Sequence, residues 1–266
     1  MIINKITRKS HAWNEDRFVI GKDFYLVIDG ATPLIKDKKQ NLACLMVKYI
    51  KENIGKYQGR IKDRLVAIAK DLYLELGLNT DDTSYLPSAS LSYVERIEDK
   101  YYIGVVGDCE VCVVSNNKVT RYYDDSLSKL DAISLEKMKN AAIEKDIDVV
   151  NARPEIIDVL IKHRRMLNKP GGYNGYTLGE NFKLNVKEEV INVSDVDKMY
   201  LYSDGFSSAF TTFKLYPSFE EMFLNISDIK EEVKNITKRA YDDAKCNKYP
   251  RFKLIDDITV IEIINE

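Results

Sequence analysis

Three aspartates share one local context. Asp29 closes the apolar run Phe24-Tyr25-Leu26-Val27-Ile28 and precedes Gly30; Asp204 closes Met199-Tyr200-Leu201-Tyr202-Ser203 and precedes Gly205; Asp256 and Asp257 stand directly before Ile258-Thr259-Val260-Ile261. A carboxylate at a strand end is aimed by a rigid sheet, which suits it to a cleft. One Asp before Gly is more often a turn residue or a helix N-cap; the weight comes from three in the same setting. Clustered carboxylates bind hard cations, Mg²⁺ or Mn²⁺, through oxygen. Two such ions about 3.5 to 4 Å apart acidify a shared water and clamp a phosphoryl group for in-line attack, without a protein nucleophile. Gly30 fits this chemistry, because its carbonyl can approach an ion with no Cβ in the way.

Other chemistries find little support. The chain has two histidines, His11 and His163, and four scattered cysteines, Cys44, Cys109, Cys112 and Cys246. Cys109 and Cys112 lie three apart in an apparent strand and point to opposite faces, so they are badly placed to share zinc and read as buried free thiols. No G-x-S-x-G, Walker A or G-x-G-x-x-G pattern is present.

The elements that position the acids follow from periodicity. Residues 17–20 and 24–29 read as a hairpin turned by Gly21-Lys22-Asp23. Leu42, Leu45, Met46, Tyr49, Ile50 and Ile54, then Ile61, Leu65, Ile68, Leu72 and Leu76, recur at helical spacing and predict two amphipathic helices. Residues 88–95, 100–106, 110–115 and 118–122, separated by short turns, read as an antiparallel meander. Helix is expected over 126–167, with Pro154 in a first helical turn, then loop at 169–175. Strands are expected at 182–193, 198–203 and 258–264, with helix across 219–245. Helices in sequential pairs between hairpins argue against a doubly wound parallel sheet. The expectation is an α+β chain with a sheet sandwich flanked by helices.

Composition sets the class. The chain has 266 residues, 45% hydrophobic and 31% charged, an ordinary globular balance. Its 40 basic and 42 acidic residues leave no long single-sign tract, so neither nucleic acid nor an anionic membrane is an expected partner. Residues 1–10 are short and polar with no apolar core, and no later run reaches membrane-spanning length. A soluble, cytoplasmic protein is expected. Without a linker or an internal repeat, residues 1–266 read as one domain.

Five segments carry a resemblance. Asn14-Glu15-Asp16-Arg17-Phe18, Val27-Ile28-Asp29-Gly30, Val106-Gly107-Asp108, Tyr202-Ser203-Asp204-Gly205-Phe206 and Asp256-Asp257-Ile258-Thr259-Val260 resemble, in order and over nearly the whole chain, the metal-dependent type 2C (PPM) serine/threonine phosphatases of bacterial type. The resemblance implies a four-layer α-β-β-α sandwich, two central antiparallel sheets covered by helix pairs. It implies that Asp29 bridges two Mn²⁺ or Mg²⁺ ions with the Gly30 carbonyl on one of them, and that Asp204 and Asp256 hold the other. Glu15 resembles the acid that holds a water of the metal centre, Asp16 its supporting partner, and Asp108 a ligand of a labile third ion together with Asp204.

Several positions depart from that pattern. His11 stands where many members carry the Arg that holds the substrate phosphate, and it lacks the bidentate fork and full charge of a guanidinium. Phosphate contact then falls to His11, to Lys9 or Arg8, or to the metals alone. Ala31 replaces a side chain able to act as general acid, so protonation of the leaving oxygen must come from water or elsewhere. Asp257 replaces an Asn, adding negative charge beside the cation site. The basic run Lys162-His163-Arg164-Arg165, with the glycine-rich loop after it, is the candidate substrate surface, Arg164 and Arg165 foremost. The expected function is a phosphatase acting on phosphoserine or phosphothreonine in a protein substrate. The alternatives are a catalytically weak or inactive module of the same fold that binds phosphorylated partners, and a hydrolase of small phosphate esters.

Overall fold

In the computed structural model, which describes residues 1–35 and 41–265, the apolar strands divide between two antiparallel sheets. One sheet contains β2 (Asp16–Ile20), β3 (Phe24–Ala31), β4 (Ser88–Ile97), β5 (Lys100–Val106) and β9 (Lys187–Asn192) in that spatial order, with β8 (Tyr176–Thr177) added to β4. The other runs β1 (Ile2–Arg8), β11 (Ile258–Ile264), β10 (Lys198–Tyr202), β6 (Glu110–Ser115), β7 (Lys118–Tyr122).

Alternation along each strand builds the layers, since successive side chains point to opposite faces. Tyr25 and Val27 of β3 join Val111, Val113, Met199, Leu201, Ile261 and Ile263 of the other sheet in a core between the sheets. Leu26 and Ile28 face outward instead, onto α1 (Leu42–Asn53) and α2 (Ile61–Glu75). Tyr200 and Tyr202 likewise face α5 (Asp204–Thr211), α6 (Phe219–Asn225) and α7 (Ile229–Asp242). The central strands are therefore buried on both faces, which is why they read as near-continuous apolar runs. Truncating a fully buried Leu26 or Ile28 to alanine is expected to cost about 2 to 5 kcal/mol. The four-layer α-β-β-α order is as expected, with three helices rather than a pair on the second sheet. A smaller cluster of Met138, Ala142, Val149, Ala152, Ile156 and Cys246 holds α3 (Ser128–Glu144) and the segment leading to α4 (Ile157–Arg164).

Four expectations need correction. The meander is broken: β4–β5 and β6–β7 are hairpins of different sheets, and the chain crosses between them at Gly107-Asp108. Gly107 has φ +70, and a Cβ there would lie 2.2 Å from the Ser90 hydroxyl, so the crossing requires glycine. Residues 2–8 are a strand, paired with β11 over their whole length; their burial alternates only between exposed and half-buried, which leaves a weak apolar signal. The expected helix over 126–167 is interrupted after Glu144 by two short 3₁₀ turns, the second containing Pro154 near its start. The expected strand at 182–193 shortens to β9. Strand β11 coincides with the expected 258–264, and the helix expected over 219–245 is α6 and α7. Cys109 packs between the sheets and Cys112 under the second helical layer, both as free thiols. Among the described residues no helix is long and apolar enough to cross a membrane.

Candidate metal centre

The two sheets meet at one end, and strand register places the acids there. In the β2–β3 ladder Asp16 is directly opposite Asp29. On the next strand Asp29 is opposite Ser90, whose hydroxyl accepts the Asp108 backbone N–H at 3.1 Å. Asp108 thus reaches the site from the sheet crossing. Ser203, at the end of β10, donates its hydroxyl to Asp16 Oδ2 at 2.7 Å and accepts the Thr259 N–H at 3.0 Å, tying the two sheets together. One residue later Asp204 opens α5, where a helix N-terminus favours negative charge. Asp256 completes the group just before β11. Gly30 is fixed by close approach: its N–H donates to the Glu15 carbonyl at 3.0 Å, and a Cβ would lie 2.8 Å from that oxygen. Gly205 is more constrained, since a Cβ there would lie 2.0 Å from the Asp257 carbonyl.

Glu15, Asp29, Asp108, Asp204 and Asp256 line one cleft of about 720 Å³, with α3, α4 and the segment between them forming part of its wall. Glu15 is held by Thr32 and by Asn41 Nδ2 at 2.7 Å, both donating to Oε1; Asn41 also caps α1 by accepting the Cys44 N–H at 2.9 Å. Burial followed by the charges of Asp16, Asp204, Asp108 and Asp256 pushes Asp29 well above the usual carboxylate range. Asp204 is raised likewise by burial, Asp256 and Asp108, with a hydrogen bond from Asp29 and the charge of Lys253 opposing. Asp108 is raised by burial despite its hydrogen bond with Ser90. Burial raises Asp16 to about 7, and raises Asp131 of α3 to about 7 with help from Asp108. Burial is the leading cause throughout, and repulsion among the acids adds to it.

Solved structures share this architecture. The chain superposes on the serine/threonine phosphatase Stp1 of Staphylococcus aureus with a TM-score of 0.58 at 13% identity, over 99% of this chain and 94% of that one. It superposes on the Mycobacterium tuberculosis phosphatase PstP/Ppp with a TM-score of 0.55 at 14% identity, covering both chains completely (100% of each). The catalytic domain of the phosphatase PstP in complex with two manganese ions gives 0.57 at 13%, over 98% and 96%. The chain has the fold of the bacterial PPM-type serine/threonine phosphatases. No protein-family model and no curated protein sequence matches it.

Within the PPM-type fold, the donor set can be tested against divalent ions. The cleft acids offer hard oxygen ligands, and Asp204 Oδ1 is buried with no hydrogen-bond partner. An orphaned carboxylate oxygen among repelling acids is costly, and a cation relieves both costs at once. In donor type, and in lining one cleft, the residues fit. Among the described residues, however, no three acidic, histidine or cysteine side chains are drawn together tightly enough to form a ready cage. Among the described residues, one cation of the chain already pairs with an acid of the cleft: Lys253 Nζ lies 2.5 Å from Asp256 Oδ1.

The sequence-derived residues separate as follows. Glu15, Asp29, Gly30, Asp108, Asp204, Asp256, His11 and Arg164 all line the cleft, His11 at its exposed rim. Asp16 lies fully buried beneath Asp29 and does not line it. Arg165 is not among the lining residues and pairs with Asp82 at 2.9 Å. Asp257 is only 5% exposed, and its carboxylate accepts the Ser10 N–H and hydroxyl on Oδ1 at 2.6 and 2.7 Å and the Glu15 N–H on Oδ2 at 2.6 Å. It braces the loop that carries Glu15. Two cleft residues escaped sequence reasoning. Arg153, in the 3₁₀ turn before α4, is influenced by Asp256 and Glu15, although burial lowers its pKa; its adjacent Pro154 marked only a helix start. Lys253 carried the faint signal of a Lys three residues before an Asp.

Proposed function

We propose that the chain is a metal-dependent phosphatase hydrolysing phosphoserine or phosphothreonine in cytoplasmic protein substrates, residues 1–266 acting as one catalytic domain. The observation that supports this reading most is the convergence of Asp29, Asp204, Asp256 and Asp108 on one cleft in a PPM-type fold, with Asp204 Oδ1 left without a partner. Mn²⁺ or Mg²⁺, two ions with a possible third, would be held by Asp29 and the Gly30 carbonyl, by Asp204 and Asp256, and by Asp108 with Asp204. The chemistry supplied by ions held there would be positive charge for the phosphoryl oxygens and a more acidic attacking water.

The chain's own residues do the rest. Glu15 has both of its donors on Oε1, which leaves Oε2 to orient a water in the cleft. Asp16 and Ser203 hold the Asp29 strand against β10. Arg153 and Arg164 line the same cleft as the acids, and one Arg164 nitrogen is buried without a hydrogen-bond partner; both suit the substrate phosphate better than the exposed His11. Lys253 is a poor general acid: burial would lower its pKa, but Asp256, Asp29 and Asp204 together hold it above its ordinary value. The leaving oxygen takes its proton from water.

The deciding assay is hydrolysis of p-nitrophenyl phosphate and a phosphothreonine peptide with and without Mn²⁺. The expected result is Mn²⁺-dependent turnover that falls about a hundredfold or more in Asp204→Asn. Turnover absent with the metal, or unchanged in the variant, overturns the reading. The Lys253–Asp256 pair gives some support to a second reading, a weak or inactive module that binds phosphorylated partners. Calorimetry showing tight phosphopeptide binding without hydrolysis would favour it, and a panel of small phosphate esters separates off a small-molecule hydrolase.

A further inference from the structure

Lys253 is placed by its neighbours. Phe252 packs against the α3–α4 cluster and Leu254 against the core under α5–α7, so the chain is anchored on both sides of the lysine. Arg251 fixes the same segment with five hydrogen bonds, to the carbonyls of Ala240, Asp243, Tyr249 and Leu254 and to the Asp243 carboxylate, at 2.6 to 3.0 Å. The Lys253 carbonyl accepts the Cys246 thiol at 3.7 Å. On this rigid base the ammonium reaches Asp256 Oδ1 at 2.5 Å, an oxygen that also accepts the Asp257 N–H at 2.8 Å. Its charge is felt by Asp29 and Asp204 too. The side chain keeps 32% of its surface, open to the cleft, so it has room to swing aside.

We propose that Lys253 is a resident counter-cation of the acidic cluster: its ammonium neutralises the Asp204–Asp256 half in the ion-free protein and must be expelled before a divalent ion binds there. Lys253 thereby sets how many ions the centre takes and how tightly. The inference rests on the metal-dependent reading above. Its physical basis is competition for the same oxygens. A single positive charge relieves part of the repulsion among the acids, so the incoming ion gains less than it would at a bare cluster, and it must also break the Asp256 pair. Removing the ammonium should have two opposite effects: the ion-free protein loses stability, and the ion-bound protein gains affinity.

The test is Mn²⁺ titration of the full chain by calorimetry, with thermal melting alongside, in wild type, Lys253→Met, Lys253→Gln and Asp29→Asn. In Lys253→Met the weaker ion is expected to bind about tenfold more tightly, or one additional ion per chain to bind. Its ion-free melting temperature should fall, and its rise on adding Mn²⁺ should exceed that of wild type. Lys253→Gln, close in length and neutral, carries the same comparison if Lys253→Met does not fold. Mn²⁺ binding to wild type with unchanged number and affinity in the lysine variants, but lost in Asp29→Asn, overturns the role of Lys253 and leaves the metal-dependent reading standing. Absence of Mn²⁺ binding in every protein overturns both.

Discussion

Replacing Asp257 by asparagine separates a structural carboxylate from the proposed metal ligand beside it, Asp256. Asp257 accepts three hydrogen bonds, two of them from the backbone N–H groups of Ser10 and Glu15 at 2.6 Å. Asparagine presents one acceptor oxygen and one NH₂ in the same outline. Whichever way the amide is turned, its NH₂ faces a backbone N–H, so at least one buried donor is left unpaired, at about 1 to 3 kcal/mol. The surviving bonds also lose their charge assistance. Against this, loss of the negative charge eases the repulsion on Asp16, to which Asp257 contributes less than Asp256. The net expectation is about 2 kcal/mol of destabilisation in urea unfolding, or about 4 to 8 °C in melting temperature. Mn²⁺ affinity, measured by calorimetry, should change by less than about tenfold, whereas Asp256→Asn should lose about a hundredfold or more with little loss of ion-free stability. An Asp257→Asn protein within about 0.5 kcal/mol of wild type, or one that loses Mn²⁺ as fully as Asp256→Asn, refutes the assignment of Asp257 as a brace.

The raised acids make the ion-free protein pH-sensitive. Asp16 and Asp131 have folded pKa values near 7 against 3.8 in the unfolded chain, so between those values the folded state binds more protons. Stability is then greatest at low pH within this window and is lost as pH rises through about 7. Thermal melting of the ion-free protein should therefore give a higher midpoint at pH about 5.5 than at about 8, and saturating Mn²⁺ should raise the midpoint most at the higher pH. Arg164→Ala should raise KM for a phosphopeptide about fivefold or more, while Arg165→Ala, which removes only an exposed pair with Asp82, should leave steady-state kinetics unchanged. Gly205→Ala should destabilise by about 1 to 3 kcal/mol in urea unfolding, because its Cβ would lie 2.0 Å from the Asp257 carbonyl, a backbone atom that has to move.

Much of the fold was legible because burial on both strand faces leaves a strong apolar signal. Strand β11 could be read to the residue, and α1 and α2 followed from helical spacing. The edge strand β1 could not, since its half-exposed side chains break that signal and its identity depends on pairing with β11, some 250 residues later in the chain. The crossing at Gly107-Asp108 was hidden for a related reason. A three-residue link, Gly107-Asp108-Cys109, reads as a hairpin, and only the packing of β6 beside β10 rather than β5 assigns it to the other sheet.

The sequence by itself determined the chemical type of the candidate centre: hard oxygen donors at three strand ends, too few histidines for zinc, and strands long and apolar enough to hold them. Residue type and local periodicity carry that information without reference to distant contacts. That Asp257 braces Ser10 and Glu15 was decided by tertiary structure, as was the pairing of Arg165 with Asp82. So was the placement of Lys253 among the acids. These depend on the end-to-end meeting of two sheets, where residues far apart in the chain either share a desolvated space or are turned away from it.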